Sequence, residues 1–67
     1  GDLSHLTIDE LNEKISELHK KLPIAMRSGN AHLCNQLRMA LESYSNKYQE
    51  KLRETQTKEF KDKINIQ

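Results

Sequence analysis

Residues 6–44 read LTIDELNEKISELHKKLPIAMRSGNAHLCNQLRMALESY, and this stretch decides the fold. Thr7-Ile8-Asp9-Glu10 has the form of a capping box: the Thr7 hydroxyl accepts the Glu10 N–H while the Glu10 carboxylate reaches back to the cap. Leu6 and Leu11 flank the cap as a hydrophobic staple, and Asp9 and Glu10 sit at the positive end of the helix dipole. A helix therefore begins near Thr7. Its apolar residues Ile8, Leu11, Ile15, Leu18, Leu22 and Ala25 follow in steps of 3, 4, 3, 4 and 3. That is a heptad seam of the coiled-coil kind, one narrow stripe on one face. Glu10–Lys14 and Glu17–Lys21 are spaced for ion pairs one turn apart. Pro23 removes one hydrogen bond and crowds the carbonyl of His19. Because Ala25 keeps the register, the expectation is a helix over 7–27, kinked at Pro23.

Ser28-Gly29-Asn30 is the turn. Gly29 suits the left-handed position that ends a helix, and Asn30 suits the N-cap of the next. So short a connection makes the neighbouring helices antiparallel. The second helix carries Leu33, Leu37, Ala40, Leu41, Tyr44, Tyr48 and Leu52, and is expected over 31–60. No Gly or Pro follows Asn30, and no apolar side chain lies between Leu52 and Phe60. Residues 53–67 read as a solvated helical overhang carrying one apolar pair, Phe60 and Ile64.

In a hairpin folded about Ser28–Asn30, facing residues have numbers adding to about 59. Ala25 or Met26 then faces Leu33, Leu22 faces Leu37, and Leu18 faces Leu41. Ile15 faces Tyr44, Leu11 faces Tyr48, and Ile8 faces Leu52. Each seam thus predicts the other. The fold class is all-α: one antiparallel helical hairpin of two long helices spanning 1–67.

Composition agrees. The chain has 67 residues, 31% charged and 4% aromatic, with two glycines, one proline and one cysteine. It is too short for a nucleotide-binding α/β domain or a barrel enzyme. One cysteine cannot form an internal disulfide framework, and no apolar run is long enough to span a membrane. A chain of this length buries only about 60% of its unfolded surface. A single core this small yields about 3–5 kcal/mol without a staple. Leu3, Leu6, Ile24, Met26, Met39 and one flank of helix 2 find no place in the hairpin seam. Pairing of two hairpins into a four-helix bundle, as a homodimer, is the expected remedy; docking onto another helical protein is the other.

Candidate chemistry is sparse. Cys34 could be a nucleophile or metal ligand, but its position predicts a small buried residue facing Ala25. His5, His19 and His32 lack metal-ligand spacing, so no cofactor or metal is expected. Glu13 and Glu17 share a polar face among lysines, where no pocket can form. Tyr44 and Tyr48, one turn apart, read either as a partner-binding hot spot or as packing against Ile15 and Leu11. Net charge is +1, yet its distribution is uneven. Residues 47–63 hold six basic groups, Lys47, Lys51, Arg53, Lys58, Lys61 and Lys63, against Glu50, Glu54, Glu59 and Asp62. The basic stripe would contact phosphates, or else pair internally as Glu50–Arg53, Glu54–Lys58 and Glu59–Lys63.

Residues 6–48, with a seam-bearing helix, a Gly-Asn turn and a longer helix, resemble the small helical-hairpin accessory proteins of large tailed, T4-like bacteriophages. The resemblance implies an adaptor or regulator of host or phage assemblies, located in the host cytoplasm, and supplies no site residue. The expectation is thus a non-enzymatic, self-associating interaction module, with Tyr44, Tyr48, Leu52 and Phe60 as anchors. A nucleic-acid-binding protein using the basic C-terminal helix is the alternative. A cytoplasmic location and no membrane contact complete it.

Overall fold

The computed structural model describes residues 2–64. Two helices make up the fold: α1, Ile8–Arg27, and α2, Ala31–Ile64. They lie side by side and antiparallel, and α2 continues well past the start of α1. At 1.5 Å per residue α1 spans about 30 Å and α2 about 51 Å. The molecule measures 59 × 20 × 14 Å, which is two helices wide and one helix thick. The end of the expected overhang, residues 65–67, lies outside the described residues. Within them α2 carries on past 60 to Ile64.

The start of α1 forms as its sequence dictates. Glu10 N–H donates to Thr7 Oγ1 at 3.0 Å, and Thr7 N–H donates to Glu10 Oε1 at 3.0 Å. The Thr7 backbone N–H, with a smaller contribution from the Thr7 side chain, stabilises the ionised carboxylate and holds Glu10 below the usual glutamate range. These bonds also correct an expectation. The Glu10 carboxylate is taken by the cap and makes no pair with Lys14, which instead meets Glu17 at 4.0 Å. Helix α1 runs unbroken through Pro23. Pro23 and His19 are both exposed, so water can serve the His19 carbonyl that the proline cannot.

The turn is a Schellman motif. Gly29 has φ 72°; its N–H donates to Met26 O at 3.1 Å, and Asn30 N–H donates to Ala25 O at 3.2 Å. Asn30 at once caps α2, its Oδ1 accepting the Leu33 N–H at 3.0 Å. Consecutive residues thus close one helix and open the next.

The core is thin. Among the described residues only Leu11, Ala25, Cys34 and Leu37 are buried, and Leu11 alone is buried completely. Ala25, Cys34 and Leu37 cluster near the turn, with Leu18 and Leu22 packed against them. The expected register holds here: Cys34 is buried beside Ala25, as its position predicts, while Leu33, also expected opposite Ala25 or Met26, is 38% exposed. Adjacent helical residues differ by about 100° in direction. The Schellman turn directs the smaller thiol inward, where it meets the small side of Ala25. With Cys34 in place, positions 34, 37, 41, 44, 48 and 51, spaced in the same alternating steps as α1, are all buried or half-buried, and 40, 45, 47 and 52 beside them are half-buried too.

The surface left over is large. Accessible area is 5456 Å², against about 4,400 Å² for a compact monomer of this mass. The radius of gyration is 16.2 Å, where a compact chain of this length has about 11 Å.

Two predictions follow from the helix ends. A Cβ at position 29 meets nothing within 4 Å, so Gly29→Ala suffers only from the left-handed backbone. Chemical denaturation should show a loss of about 1 kcal/mol, and less for Gly29→Asn. Because the folded Glu10 pKa is depressed, its contribution is present above the ordinary glutamate value of about 4.3 and is lost as pH falls through the folded value. Thermal midpoints should drop on acidification through that window. Glu10→Gln, which keeps the acceptor but does not titrate, should flatten that limb.

Candidate interaction surface

The first candidate surface is the open end of the hairpin. Residues 2–6 form a turn, not a helix. Leu6 N–H donates to Leu3 O at 3.1 Å. Asp2 Oδ1 accepts both the Ser4 N–H at 3.0 Å and the Ser4 hydroxyl at 2.7 Å, which holds the Asp2 carboxyl below its usual range. The carbonyls of such a turn need donors. Lys51 supplies them: its ammonium donates to Ser4 O at 2.7 Å and also to Leu6 O. A third piece of chain is thereby tied to α2 beside Leu3 and Leu6, both half-buried. Two helices alone leave seam residues such as Ile15, Leu18 and Leu22 partly exposed.

This contact corrects the reading of Lys51 as a phosphate-binding residue. Lys51 and Leu52 are both half-buried, and the Lys51 charge is directed to the chain's own carbonyls. Lys47 is likewise engaged, 3.2 Å from Glu50. The pairs expected as Glu50–Arg53, Glu54–Lys58 and Glu59–Lys63 do not form among the described residues; Glu50 turns back to Lys47 instead. Arg53, Lys58, Lys61 and Lys63 are exposed beyond the end of α1. Arg53, Lys58 and Lys61 share an open strip of about 630 Å³ with Glu50, Glu54 and Asp62. That strip is the flank of one helix with no second wall, and carboxylates alternate with its cations.

The four expected anchors do not share one surface. Tyr44, Tyr48 and Leu52 are half-buried, the tyrosines at the seam positions opposite Ile15 and Leu11. Phe60 is 63% exposed on the overhang. Cys34 is buried, while His5, His19 and His32 are exposed. No group of three or more His, Cys, Asp or Glu among the described residues could hold a metal ion. No described helix is long and apolar enough to cross a membrane.

The more enclosed apolar feature lies at the turn end. Ile24, Ala25, Leu33 and Leu37, with Lys21 and Ser28 at the rim, line a groove of about 200 Å³. The Ser28 hydroxyl is already satisfied by Ala25 O at 2.9 Å, so little polar demand remains in it. Along α2, Leu33, Leu37, Ala40 and Tyr44 recur in steps of 4, 3 and 4, a second apolar row beside the one that meets α1. On the opposite side, Met26 and Cys34 share a shallower depression with Asn35 and Arg38. The groove was legible only in part: Ile24 stood out as lacking a place, but Leu33 was assigned to the seam. No family model, curated protein or solved structure matches the chain.

Removing the Lys51 ammonium while keeping an unbranched apolar stem tests the clamp. Lys51→Met keeps the apolar stem, so the hairpin should persist with a loss of about 1 kcal/mol. Amide exchange at Leu6 should quicken by several fold, with little change in the middle of α2.

Proposed function

We propose that this chain is a non-enzymatic interaction module that works by helix-on-helix packing and that self-associates as a dimer. The observation carrying the reading is the mismatch between core and surface. Among the described residues only one side chain is wholly buried, while Ile24, Met26, Leu33, Met39, Phe60 and Ile64 are exposed. A two-layer arrangement of four helices is the usual way to cover such faces. Self-association leaves the overhang of α2, with Phe60 and its basic groups, free to meet a different helical protein as an adaptor would.

Nucleic-acid binding is the weaker reading. Two of its six basic residues are engaged elsewhere, Lys51 by the carbonyls of Ser4 and Leu6 and Lys47 by Glu50. The other four share residues 53–64 with three acidic residues, Glu54, Glu59 and Asp62. Four phosphate contacts would give a steep salt dependence.

Sedimentation equilibrium at micromolar concentration separates the readings. A mass twice the 7.8 kDa of the chain is expected, with no salt-dependent binding to single- or double-stranded DNA. A monomer at all concentrations would remove self-association. Binding to DNA that weakens as salt rises would favour the nucleic-acid reading.

A further inference from the structure

We infer that the turn end of the hairpin docks an acidic amphipathic helix of a different protein. The apolar side chains of that helix enter the groove beside Ile24 and Leu33, and its carboxylates meet Lys20, Lys21 and Arg27. This deepens the helix-packing reading by naming a partner class, and it does not depend on the dimer.

Charge along the hairpin is segregated. Every acidic residue lies at or before Glu17, or at or after Glu42. Facing residues have numbers adding to about 59, so these two carboxylates stand at the same height on α1 and α2. Beyond them, the last ~15 Å of the hairpin carries Lys20, Lys21, Arg27 and Arg38 and no carboxylate. All four cations are exposed, and none is held by an ion pair among the described residues. On the overhang, by contrast, carboxylates alternate with the cations. Helix dipoles account for only part of this. A cation such as Arg27 suits the end of α1, but the start of α2 favours acids, and its first turn has none.

Within this end the cations surround an apolar anchor. Helical side chains three and four residues apart are neighbours. Ile24, 59% exposed, therefore has Lys20, Lys21 and Arg27 around it. Lys21 also stands at the rim of the groove that Ile24 shares with Leu33 and Leu37. An apolar cleft edged by one sign of charge selects an occupant whose apolar anchors are edged by the opposite sign. A helix with Asp or Glu beside its apolar row has that form.

This chain does not carry such a helix. The exposed positions of α1 from 9 to 17 are acidic but hold no apolar side chain. On the overhang, the neighbours of Phe60 one turn away include Lys63 and no carboxylate. Two turn ends placed face to face oppose like charges. Nucleic acid offers phosphates without apolar anchors, and residues 18–41 contain no Phe, Tyr or Trp on which bases stack. The same lack removes the aromatic anchors of a lipid interface.

Fluorescence anisotropy with a labelled amphipathic peptide of about 18 residues, Leu in a helical row and Glu beside it, tests this. The full chain should bind it with a dissociation constant of about 10 μM at low salt, more weakly as salt rises. A peptide with Lys in place of every Glu should bind at least about tenfold more weakly. Lys21→Glu and Ile24→Ser should each weaken binding about tenfold, with helicity retained by circular dichroism. Lys58→Glu, on the overhang, should not. If Ile24→Ser loses helicity, Lys21→Glu decides the question. Absence of binding at about 1 mM, equal binding of the Lys peptide, or an equal loss with Lys58→Glu would overturn the inference. Tighter binding to duplex DNA or to phosphatidylglycerol vesicles, abolished by Lys21→Glu, would also overturn it, in favour of that polyanion. A chain that binds the peptide but sediments as a monomer loses the dimer and keeps this docking site. A dimer that ignores the peptide does the reverse.

Discussion

Two helices lying side by side share a single line of contact, and that constraint governs this molecule. Each seam residue can be covered by the facing helix but not from above or below. In a body 14 Å thick there is no second layer to do it. Burial therefore becomes complete only where something else intervenes. Near the turn, the small side chains of Ala25 and Cys34 let the helices approach. At the open end, the turn over residues 2–6 adds a third segment, tied to α2 through Lys51.

The two ends of the hairpin are closed by different chemistry. The turn end uses backbone geometry: a left-handed Gly29 and an Asn30 cap satisfy the donors and acceptors that two helix termini leave open. The open end uses one ammonium group. Lys51 is half-buried, and its charge reaches carbonyls that no helix serves. Beyond it α1 has ended, so α2 has nothing to pack against. The apolar spacing lapses there for the same reason, and residues 53–64 extend about 18 Å past the last cover.

The elements and their register were legible because their signals are local or periodic. Thr7 with Glu10, and Gly29 with Asn30, declare helix ends through hydrogen bonds made within a few residues. Two heptad seams joined by a three-residue turn leave one antiparallel alignment. Cys34 was legible as a small buried residue facing Ala25, and only the placing of Leu33 in the same seam position was not, because hydropathy alone favours the leucine. Nor was Lys51, whose role depends on carbonyls of a non-helical turn far away in sequence. The ion pairs were misassigned because a lysine has several carboxylates within reach, and capping had already taken Glu10. Partner identity leaves no such local trace, since helix packing uses the same residue types as a core.

The central claim is that half of the core is completed by a second chain, which makes folding depend on concentration. Thermal unfolding followed by circular dichroism over a hundredfold range of protein concentration tests it most directly. Coupled folding and pairing raises the midpoint by roughly 10 °C across that range. A midpoint that stays the same at every concentration would contradict it.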